Sequence, residues 1–328
     1  MPLSKNWLAQ PAAASTVLSP LVFAGGLAAL TYAGICLALY SYQTKLIFRP
    51  LPTFIRTPAD IGLGYEDVWI PLTSAADSTP TAGKLHAWWI PAPGSQKTLL
   101  FCHGNYGNIS YNTERIRFYH SLGFSILAFD YRGYGQSLTA KNSPAPTESS
   151  TYADAEAAWQ YLINTRQLKP NDITVYGHSM GGAIAIELAT RYPQVARLII
   201  ESSFTTMKDA VDAKKMYRLF PVEQLLAHPF DSLSKVKTLK TPVLYVHGDQ
   251  DFDVPMQFSK TLYAATPNPK QLWIAPDADH NGICSAQGDT YAAVVNDFCK
   301  TAQLTAAQPT AQPTAQPTAQ PQSVQATS

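Results

Sequence analysis

Residues 173–182 read Ile173-Thr-Val-Tyr-Gly-His-Ser-Met-Gly-Gly182, and a helix-forming run, Ala183-Ile-Ala-Ile-Glu-Leu-Ala189, follows directly. A β-branched run that passes through Gly-x-Ser-x-Gly into such a helix predicts a strand, a sharp turn and a helix. Glycine stands two residues before and two residues after Ser179, where a side chain would obstruct so tight a turn. The pattern predicts an exposed, nucleophilic Ser179 beside free helix N–H groups that can stabilise an oxyanion.

A serine hydroxyl needs a base, and in folds with this turn the partners follow in the order serine, acid, histidine. The chain keeps that order. A carboxylate-rich turn, Gly248-Asp-Gln-Asp-Phe-Asp-Val-Pro255, follows one predicted strand, and Asp277-Ala-Asp-His-Asn-Gly282 follows the last one. His280 is therefore the predicted general base, since it lies in the loop where the base is required. The pattern alone leaves three aspartates open as its partner: Asp249, Asp251 and Asp253.

Two backbone amides are predicted to stabilise the oxyanion. The apolar strand that ends in Phe101-Cys102 is followed by the loop His103-Gly-Asn105, and Met180 is the first residue after the serine. The amides of Asn105 and Met180 are the candidate donors, because paired donors preset for a tetrahedral intermediate stabilise the transition state. The charged loop Asp130-Tyr-Arg-Gly-Tyr-Gly135 is interpreted as structural, and Asp130 is not a catalytic candidate.

Short β-branched or aromatic runs alternate with helical patterns along the chain, which is typical of a mostly parallel sheet with helices on both faces. Eight strands are predicted, the first two forming an antiparallel pair near one edge: 65–70, 85–90, 98–102, 125–129, 173–176, 196–200, 242–247 and 271–274. Helices are predicted at 111–122, 151–165, 179–192, 256–265 and 290–301.

The N-terminal segment, residues 1–44, has no charged side chain between Lys5 and Lys45, and residues 17–40 are almost all apolar or small. About 20 apolar residues suffice to cross a bilayer, whereas a cleaved signal peptide usually has a shorter apolar region. We therefore expect an uncleaved single-pass membrane anchor. More basic residues follow the span than precede it, which favours the cytoplasmic side for the rest of the chain.

The C-terminal segment, residues 304–328, repeats Ala-Gln-Pro-Thr through Pro321 and is predicted to be a disordered tail, because it offers no apolar face. Between anchor and tail, residues 45–303 are expected to form one catalytic domain. Residues 205–236 lie where a short cap is expected, and their methionines and leucines would give it an apolar lip.

Composition excludes several classes of protein. The 328 residues are 46% hydrophobic, enough for a large core, and the net charge of +1 offers no basic field for nucleic acid. Four cysteines without a C-x-x-C pair exclude a dense disulfide scaffold. A Cys284–Cys299 disulfide stays open, although buried free thiols are the favoured interpretation. No metal or organic cofactor is expected, because neighbouring side chains would activate the nucleophile.

Taken together, the motifs resemble those of the membrane-anchored α/β hydrolases of the bud-emergence (Bem-like) group, which includes serine aminopeptidase-like domains and protein depalmitoylases. The resemblance spans about 46–300 and rests on seven segments: Leu85-His-Ala-Trp-Trp-Ile90, Phe101-Cys-His-Gly-Asn105, Asp130-Tyr-Arg-Gly-Tyr-Gly135, Gly177-His-Ser-Met-Gly181, Glu201-Ser-Ser-Phe204, Phe230-Asp-Ser-Leu233 and Ala278-Asp-His-Asn281.

This resemblance implies an α/β-hydrolase fold and selects among the three aspartates. The turn at 247–255 matches the pattern His-Gly-x-x-Asp-x-x-Val-Pro, so the implied triad is Ser179, Asp251 and His280. Two features depart from the group. The repeat tail is no part of its pattern, and a hydrophobic span replaces the N-terminal cysteine cluster of the depalmitoylases, which leaves depalmitoylation as one option among several.

The resulting hypothesis is a serine hydrolase that cleaves an ester or thioester through an acyl-enzyme at a membrane surface. Its substrate would be a small-molecule or lipid-like acyl compound or an acylated protein. The alternatives are a serine peptidase or amidase and an acyltransferase with the same triad. A non-catalytic binding protein is the least favoured, because every catalytic part is present.

Overall fold

The computed structural model describes residues 20–73, 80–137 and 145–307. Its strands are β1 (Arg49–Pro50), β2 (Glu66–Thr73), β3 (Pro80–Ile90), β4 (Thr98–Cys102), β5 (Tyr106–Gly107), β6 (Ser125–Phe129), β7 (Ile173–His178), β8 (Arg197–Glu201), β9 (Val243–Gly248) and β10 (Lys270–Ala275). Its helices are α1 (Pro20–Ile47), α2 (Thr113–Ser121), α3 (Glu148–Gln160), α4 (Met180–Arg191), α5 (Met207–Ala213), α6 (Val222–Leu225), α7 (Ser232–Val236), α8 (Gln257–Ala265) and α9 (Ile283–Ala307).

The central sheet has eight strands in the order β10-β9-β8-β7-β4-β6-β3-β2. Neighbours from β10 to β6 are parallel, and β3 pairs antiparallel with both β6 and β2. The predicted eight-stranded, mostly parallel sheet with its antiparallel edge pair is confirmed. From β4 the chain continues to β6 on one side and later to β7 on the other, so a crevice opens between the carboxyl ends of β4 and β7.

Helices cover both faces of the sheet, as predicted. On one face, apolar side chains of α3, α4 and α8 pack on the strands, and on the other those of α2 and α9 do so. Strands β4, β6, β7, β8 and β9 are buried at every position, the pattern of strands covered on both sides.

A second, two-stranded sheet, β1 with β5, was not predicted, since two-residue strands carry no periodic pattern. It joins the chain after α1 to the loop after β4. The amide of Arg49 donates to the carbonyl of Asn105 at 2.9 Å, and that of Leu51 donates to Gly107 at 3.0 Å. The end of α1 is thereby tied to the candidate oxyanion loop.

The first helix is longer than the apolar run that predicted it. It ends at Ile47, inside the predicted domain 45–303, and residues 17–19 of the predicted span lie outside the described residues. Twenty-eight residues make a helix of about 42 Å, longer than the bilayer's hydrocarbon core of about 30 Å. The last turns continue as helix because Gln43 and Ile47 are buried against the domain.

Residues 205–236 contain α5, α6 and α7, for which no helix was predicted. The Thr206 hydroxyl caps α5 by accepting from the amide of Asp209 at 3.0 Å. Helix α7 packs on α4 and α8 and therefore belongs to the body of the domain. The part of this region that precedes α7, residues 205–231, is called the cap segment below.

The last helix begins at Ile283 and ends at Ala307, so it exceeds the predicted 290–301 at both ends and has a kink at Gln287. It includes the first four residues of the predicted tail, and residues 308–328 lie outside the described residues. All four cysteines are free thiols, which is the favoured interpretation of the sequence.

Candidate active site

Ser179 stands in a sharp turn between β7 and α4. Its backbone has φ 54° and ψ −120°, a conformation that non-glycine residues rarely adopt and that costs free energy. A Cβ at Gly177 would collide with the carbonyl of Gly181, and one at Gly181 would collide with the carbonyl of Cys102. The two glycines are therefore required by close backbone approach. Ser179 is only 9% exposed, so it is open to a cavity and not, as the motif suggested, to bulk solvent.

The main chain of Ser179 is fixed from a neighbouring strand. Its amide donates to the carbonyl of Glu201 at 2.9 Å, and the hydroxyl of Ser203 donates to its carbonyl at 2.8 Å. Glu201 is the last residue of β8, and Ser203 lies just after it. These bonds hold the strained turn in place, because relaxing it would break them.

The structure brings Asp251 and His280 together. Nδ1 of His280 lies 2.6 Å from Oδ2 of Asp251, although 29 positions separate them. Asp249 is exposed, and Asp253 is exposed and forms an ion pair with Lys214 at 3.1 Å. Of the three aspartates that the residue pattern left open, Asp251 is thus the one hydrogen-bonded to His280.

Asp251 makes three further hydrogen-bond contacts. The amides of Asp253 and Val254 donate to its Oδ1 at 3.0 and 2.8 Å, and Nε2 of His247 lies 3.1 Å from its Oδ2. Burial alone would raise the pKa of Asp251, but the hydrogen bonds from His247 and His280 outweigh it and hold that pKa below its usual value. The carboxylate is ionised at neutral pH, so the proton of the pair resides on Nδ1 of His280.

His280 is also held through its backbone, by a buried ion pair that the sequence did not reveal. Nε of Arg115 donates to Oε1 of Glu201 at 2.8 Å, and both side chains are almost fully buried. Nη2 of Arg115 lies 3.4 Å from the carbonyl of His280 and 3.3 Å from that of Asn281. Burial opposes the charge of Arg115, but Glu201 outweighs it, so the arginine pKa lies above its usual value.

His178 lies next to this arginine. Nε2 of His178 lies 3.0 Å from Nη2 of Arg115 and 3.0 Å from the carbonyl of His280, and the rings of the two histidines have their centres 4.9 Å apart. Burial first, and then the charge of Arg115, lower the pKa of His178 well below its usual value. A neutral His178 adds no positive charge beside His280.

The loop after β4 brings Asn105 close to Ser179, since a Cβ at the neighbouring Gly104 would lie 3.6 Å from Cβ of Ser179. The Asn105 side chain donates to the carbonyl of Ile47 at 2.8 Å, and the Tyr134 hydroxyl donates to its carbonyl at 2.9 Å. The amide of Met180 opens α4 and has no acceptor within the helix. Asp130 accepts from the amide of Ile109 at 2.8 Å, the structural role predicted for it.

Ser179, Met180, Asn105 and His280 all line one cavity of about 500 Å³. Its remaining walls are mostly apolar and come chiefly from the end of α1 and from the cap segment, with Arg49, Tyr106 and Asp253 among the other lining residues. Among the described residues, no group of three or more His, Cys, Asp or Glu side chains is placed to hold a metal ion.

Comparison with known proteins agrees with this architecture. The family profile described as alpha/beta hydrolase fold matches residues 97–226. An uncharacterised protein of Mycobacterium tuberculosis, Rv2307c, is 31% identical over 77% of this chain and 85% of its own length. Protein bem46 of Schizosaccharomyces pombe is 29% identical over 83% of this chain and 91% of its own.

Two further similarities bear on the membrane helix and on the fold. YNL320W of Saccharomyces cerevisiae, an uncharacterised membrane protein, is 28% identical over 84% of this chain and 95% of its own. The solved esterase Pf2001 of Pyrococcus furiosus is 23% identical over 78% of this chain and 97% of its own, with a TM-score of 0.63. At that identity, the structural likeness shows the fold alone.

Proposed function

The chain belongs to the α/β-hydrolase family, and from that premise we propose that it is a membrane-anchored serine hydrolase that cleaves an ester or thioester through an acyl-enzyme on Ser179. Family membership and the esterase of the same fold support hydrolase activity in general. The observation that carries the finer proposal is the 2.6 Å hydrogen bond between Asp251 and His280. His280 in turn lines the same cavity as Ser179.

The proposed chemistry follows from the proton's position on His280. Because Nδ1 donates to Asp251, Nε2 is free to take the proton of Ser179 as its oxygen attacks the substrate carbonyl. The amides of Asn105 and Met180 stabilise the oxyanion, and the protonated His280 returns its proton to the leaving group. Water, deprotonated by the same histidine, then releases the acid and regenerates the serine.

The membrane-surface part of the proposal rests on α1. This helix is long and apolar enough to cross a membrane, and one relative is named a membrane protein. We assign residues 1–44 to the anchor segment, 45–303 to the catalytic domain and 304–328 to the tail. The substrate is an acyl compound, lipid-like or carried by a protein, that reaches Ser179 beside the anchor.

A fluorophosphonate probe tests the nucleophile, because it forms a covalent adduct only with an activated serine. The wild-type protein should be labelled and Ser179→Ala should not. Ser121→Ala is the matched control: its hydroxyl is exposed on α2 and donates to the carbonyl of Phe118, and its labelling should equal the wild type. Labelling that persists in folded Ser179→Ala would refute the proposal.

Matched ester, thioester and amide substrates then test the bond that is cleaved. We expect turnover of the ester and thioester that is lost in Ser179→Ala. Turnover of the amide alone would replace the proposal with a peptidase, and transfer to an added alcohol in preference to water would replace it with an acyltransferase.

A further inference from the structure

The cavity above Ser179 has two apolar walls that come from distant parts of the chain. One wall is the end of α1, with Leu39, Leu46 and Ile47. The other is the cap segment, with side chains that include Met207, Val211, Phe220, Leu225 and Leu226. Residues 39, 43, 46 and 47 have the spacing of one face of α1. This face lines the candidate active site, and the same helix contains the apolar span.

The polar side chain of Gln43 joins these walls beside the cavity. Nε2 of Gln43 donates to the carbonyl of Leu225 at 2.9 Å, and its Oε1 accepts from the amide of Ala227 at 2.7 Å. Gln43 is 9% exposed and also donates to the carbonyl of Tyr40. Buried backbone groups left without partners would destabilise the structure, so Gln43 fixes the cap segment to the helix.

The cap segment also contacts α1 nearer the start of the helix, within the apolar run. The hydroxyl of Tyr32 donates to the carbonyl of Leu219 at 2.9 Å, and its ring stacks on Phe220 with centres 5.7 Å apart. Met216 and Leu219 beside this contact are 68% and 75% exposed. The cap segment therefore presents apolar side chains along the part of the chain that is apolar enough to cross a membrane.

We propose that the last turns of α1 are part of the substrate-binding site: Leu39, Leu46 and Ile47 form one wall for a fatty acyl chain, and Gln43 fixes the cap segment that forms the other. The inference rests on the proposed function, because it places the carbonyl of that chain at Ser179. A cavity of about 500 Å³ suits such a ligand, since small-molecule sites commonly occupy roughly 300–1,000 Å³.

This arrangement would place apolar side chains along the acyl chain between the bilayer and the nucleophile. Each methylene held in apolar surroundings contributes about fourfold to binding. An enzyme with such a path prefers longer chains until the cavity is full, whereas one with an open, wet site discriminates little among chain lengths.

The first experiment measures kcat/KM on a series of esters from acetate to palmitate, with the full chain in lipid nanodiscs. Leu39→Trp fills the cavity from the α1 side, and we expect its ratio of long-chain to short-chain activity to fall at least tenfold. Leu37→Trp is the matched control, because Leu37 is two residues away on an exposed face of the same helix. Equal ratios in the two variants would overturn the inference.

The second experiment tests Gln43. Gln43→Leu keeps a side chain of similar size but removes the bonds to Leu225 and Ala227, and we expect faster amide exchange in the cap segment and a lower long-chain ratio. Gln160→Leu is the matched control, since that glutamine lies on α3 and donates to the hydroxyl of Tyr192. Wild-type exchange and wild-type chain preference in Gln43→Leu would contradict the role assigned to it.

A third experiment separates this inference from the proposed function. Ser179→Ala in nanodiscs is irradiated with a photoreactive fatty acid, and crosslinks are expected at residues 39–47 and 207–226. Crosslinks there without ester turnover by the wild type would retain the acyl site and refute the function. Turnover by the wild type with crosslinks elsewhere would support the function and refute the acyl site. Competition by a diacylglycerol and by an S-palmitoylated peptide distinguishes the two sources of the chain.

Discussion

The two sides of the cavity are built in different ways. Its floor consists of Ser179, Asp251, His280 and the residues that hold them, which are mostly buried and make directed hydrogen bonds of 2.6–3.4 Å. Its roof, which consists of the end of α1 and the cap segment, is mostly apolar and partly exposed. Gln43 supplies the directed bonds between the two parts of the roof near Ser179.

This difference matches what each side would have to do in the proposed function. Proton transfer requires atoms placed within tenths of an ångström, which a network of directed bonds in a packed interior provides. Binding an apolar chain requires apolar contact but no directed bonds, so under the proposal the roof would tolerate small movements and admit chains of several lengths. We expect substitutions in the floor to have large effects on rate or stability and substitutions in the roof to change selectivity.

The largest effect is expected from Asp251→Asn. The amide keeps the shape of the carboxylate but disfavours the tautomer of His280 that carries its proton on Nδ1. Loss of the acid in Ser-His-Asp triads lowers kcat by about 10⁴-fold. The measurement is steady-state hydrolysis of a short ester.

Asp253→Asn is the control for that experiment, because Asp253 is exposed and lies two residues away in the same turn. Its kcat should stay within about twofold of the wild type, since an exposed ion pair contributes little. Equal kcat values for the two variants would show that the floor does not depend on Asp251.

The next largest effect is expected from Arg115→Met, and it concerns stability as well as rate. Removing one partner of a buried ion pair leaves Glu201 charged and unpaired, which typically costs about 3–5 kcal/mol of unfolding free energy. The loop that carries His280 also loses the hydrogen bonds that Arg115 donates to the carbonyls of His280 and Asn281. Denaturant unfolding in detergent micelles measures the stability.

Arg117→Met is the matched control on the same helix. Arg117 is exposed, and its contact with Glu114 is 3.8 Å long, so its loss should change the unfolding free energy by less than about 0.5 kcal/mol. If Arg115→Met were as stable as Arg117→Met, the ion pair would not be what holds the floor together.

The same contrast explains how much could be predicted from the sequence. Ser179 and the turn around it follow from local sterics, since two glycines and a strand-to-helix pattern suffice. The mostly parallel direction of the strands follows from the alternation of strands and helices, whereas their order in the sheet was not predicted. His280 was predicted from its place after the last strand, and the fold then brings it to Asp251.

The long-range polar contacts could not be predicted in this way. Arg115 pairs with Glu201 across 86 positions, and helix α2 also carries Glu114 and Arg117, so nothing local marks which charge faces inward. Gln43 follows an apolar run and has the appearance of an ordinary polar residue at a membrane surface. Its partners in the cap segment are 182 and 184 positions away.

A smaller effect is expected from Gly181→Ala, which tests the steric part of the floor. A Cβ there collides with the carbonyls of Cys102 and His103, so the backbone has to move. Such overpacking typically costs about 1–3 kcal/mol, occasionally more. Unfolding free energy and the rate on a short ester should both fall.

Gly288→Ala is the matched control, because a Cβ at Gly288 in α9 has no neighbouring atom within 4 Å. Alanine is the better helix former by about 0.5–1 kcal/mol, so this variant should be as stable as the wild type or more so. Comparable losses in the two variants would mean that helix context, and not the collision, governs Gly181.

The smallest effect is expected from Lys214→Met, which breaks an exposed ion pair between roof and floor. Lys214 in the cap segment pairs with Asp253 in the turn after β9 at 3.1 Å, and both side chains are largely exposed. Exposed pairs contribute about 0–1 kcal/mol and are screened by salt, so unfolding free energies of variant and wild type should converge as ionic strength rises. A loss above about 2 kcal/mol that persists in high salt would show that the roof is held to the floor by charge, and the contrast between the two sides would then fail. A small, salt-sensitive loss would instead mean that apolar contact and Gln43 keep the roof in place.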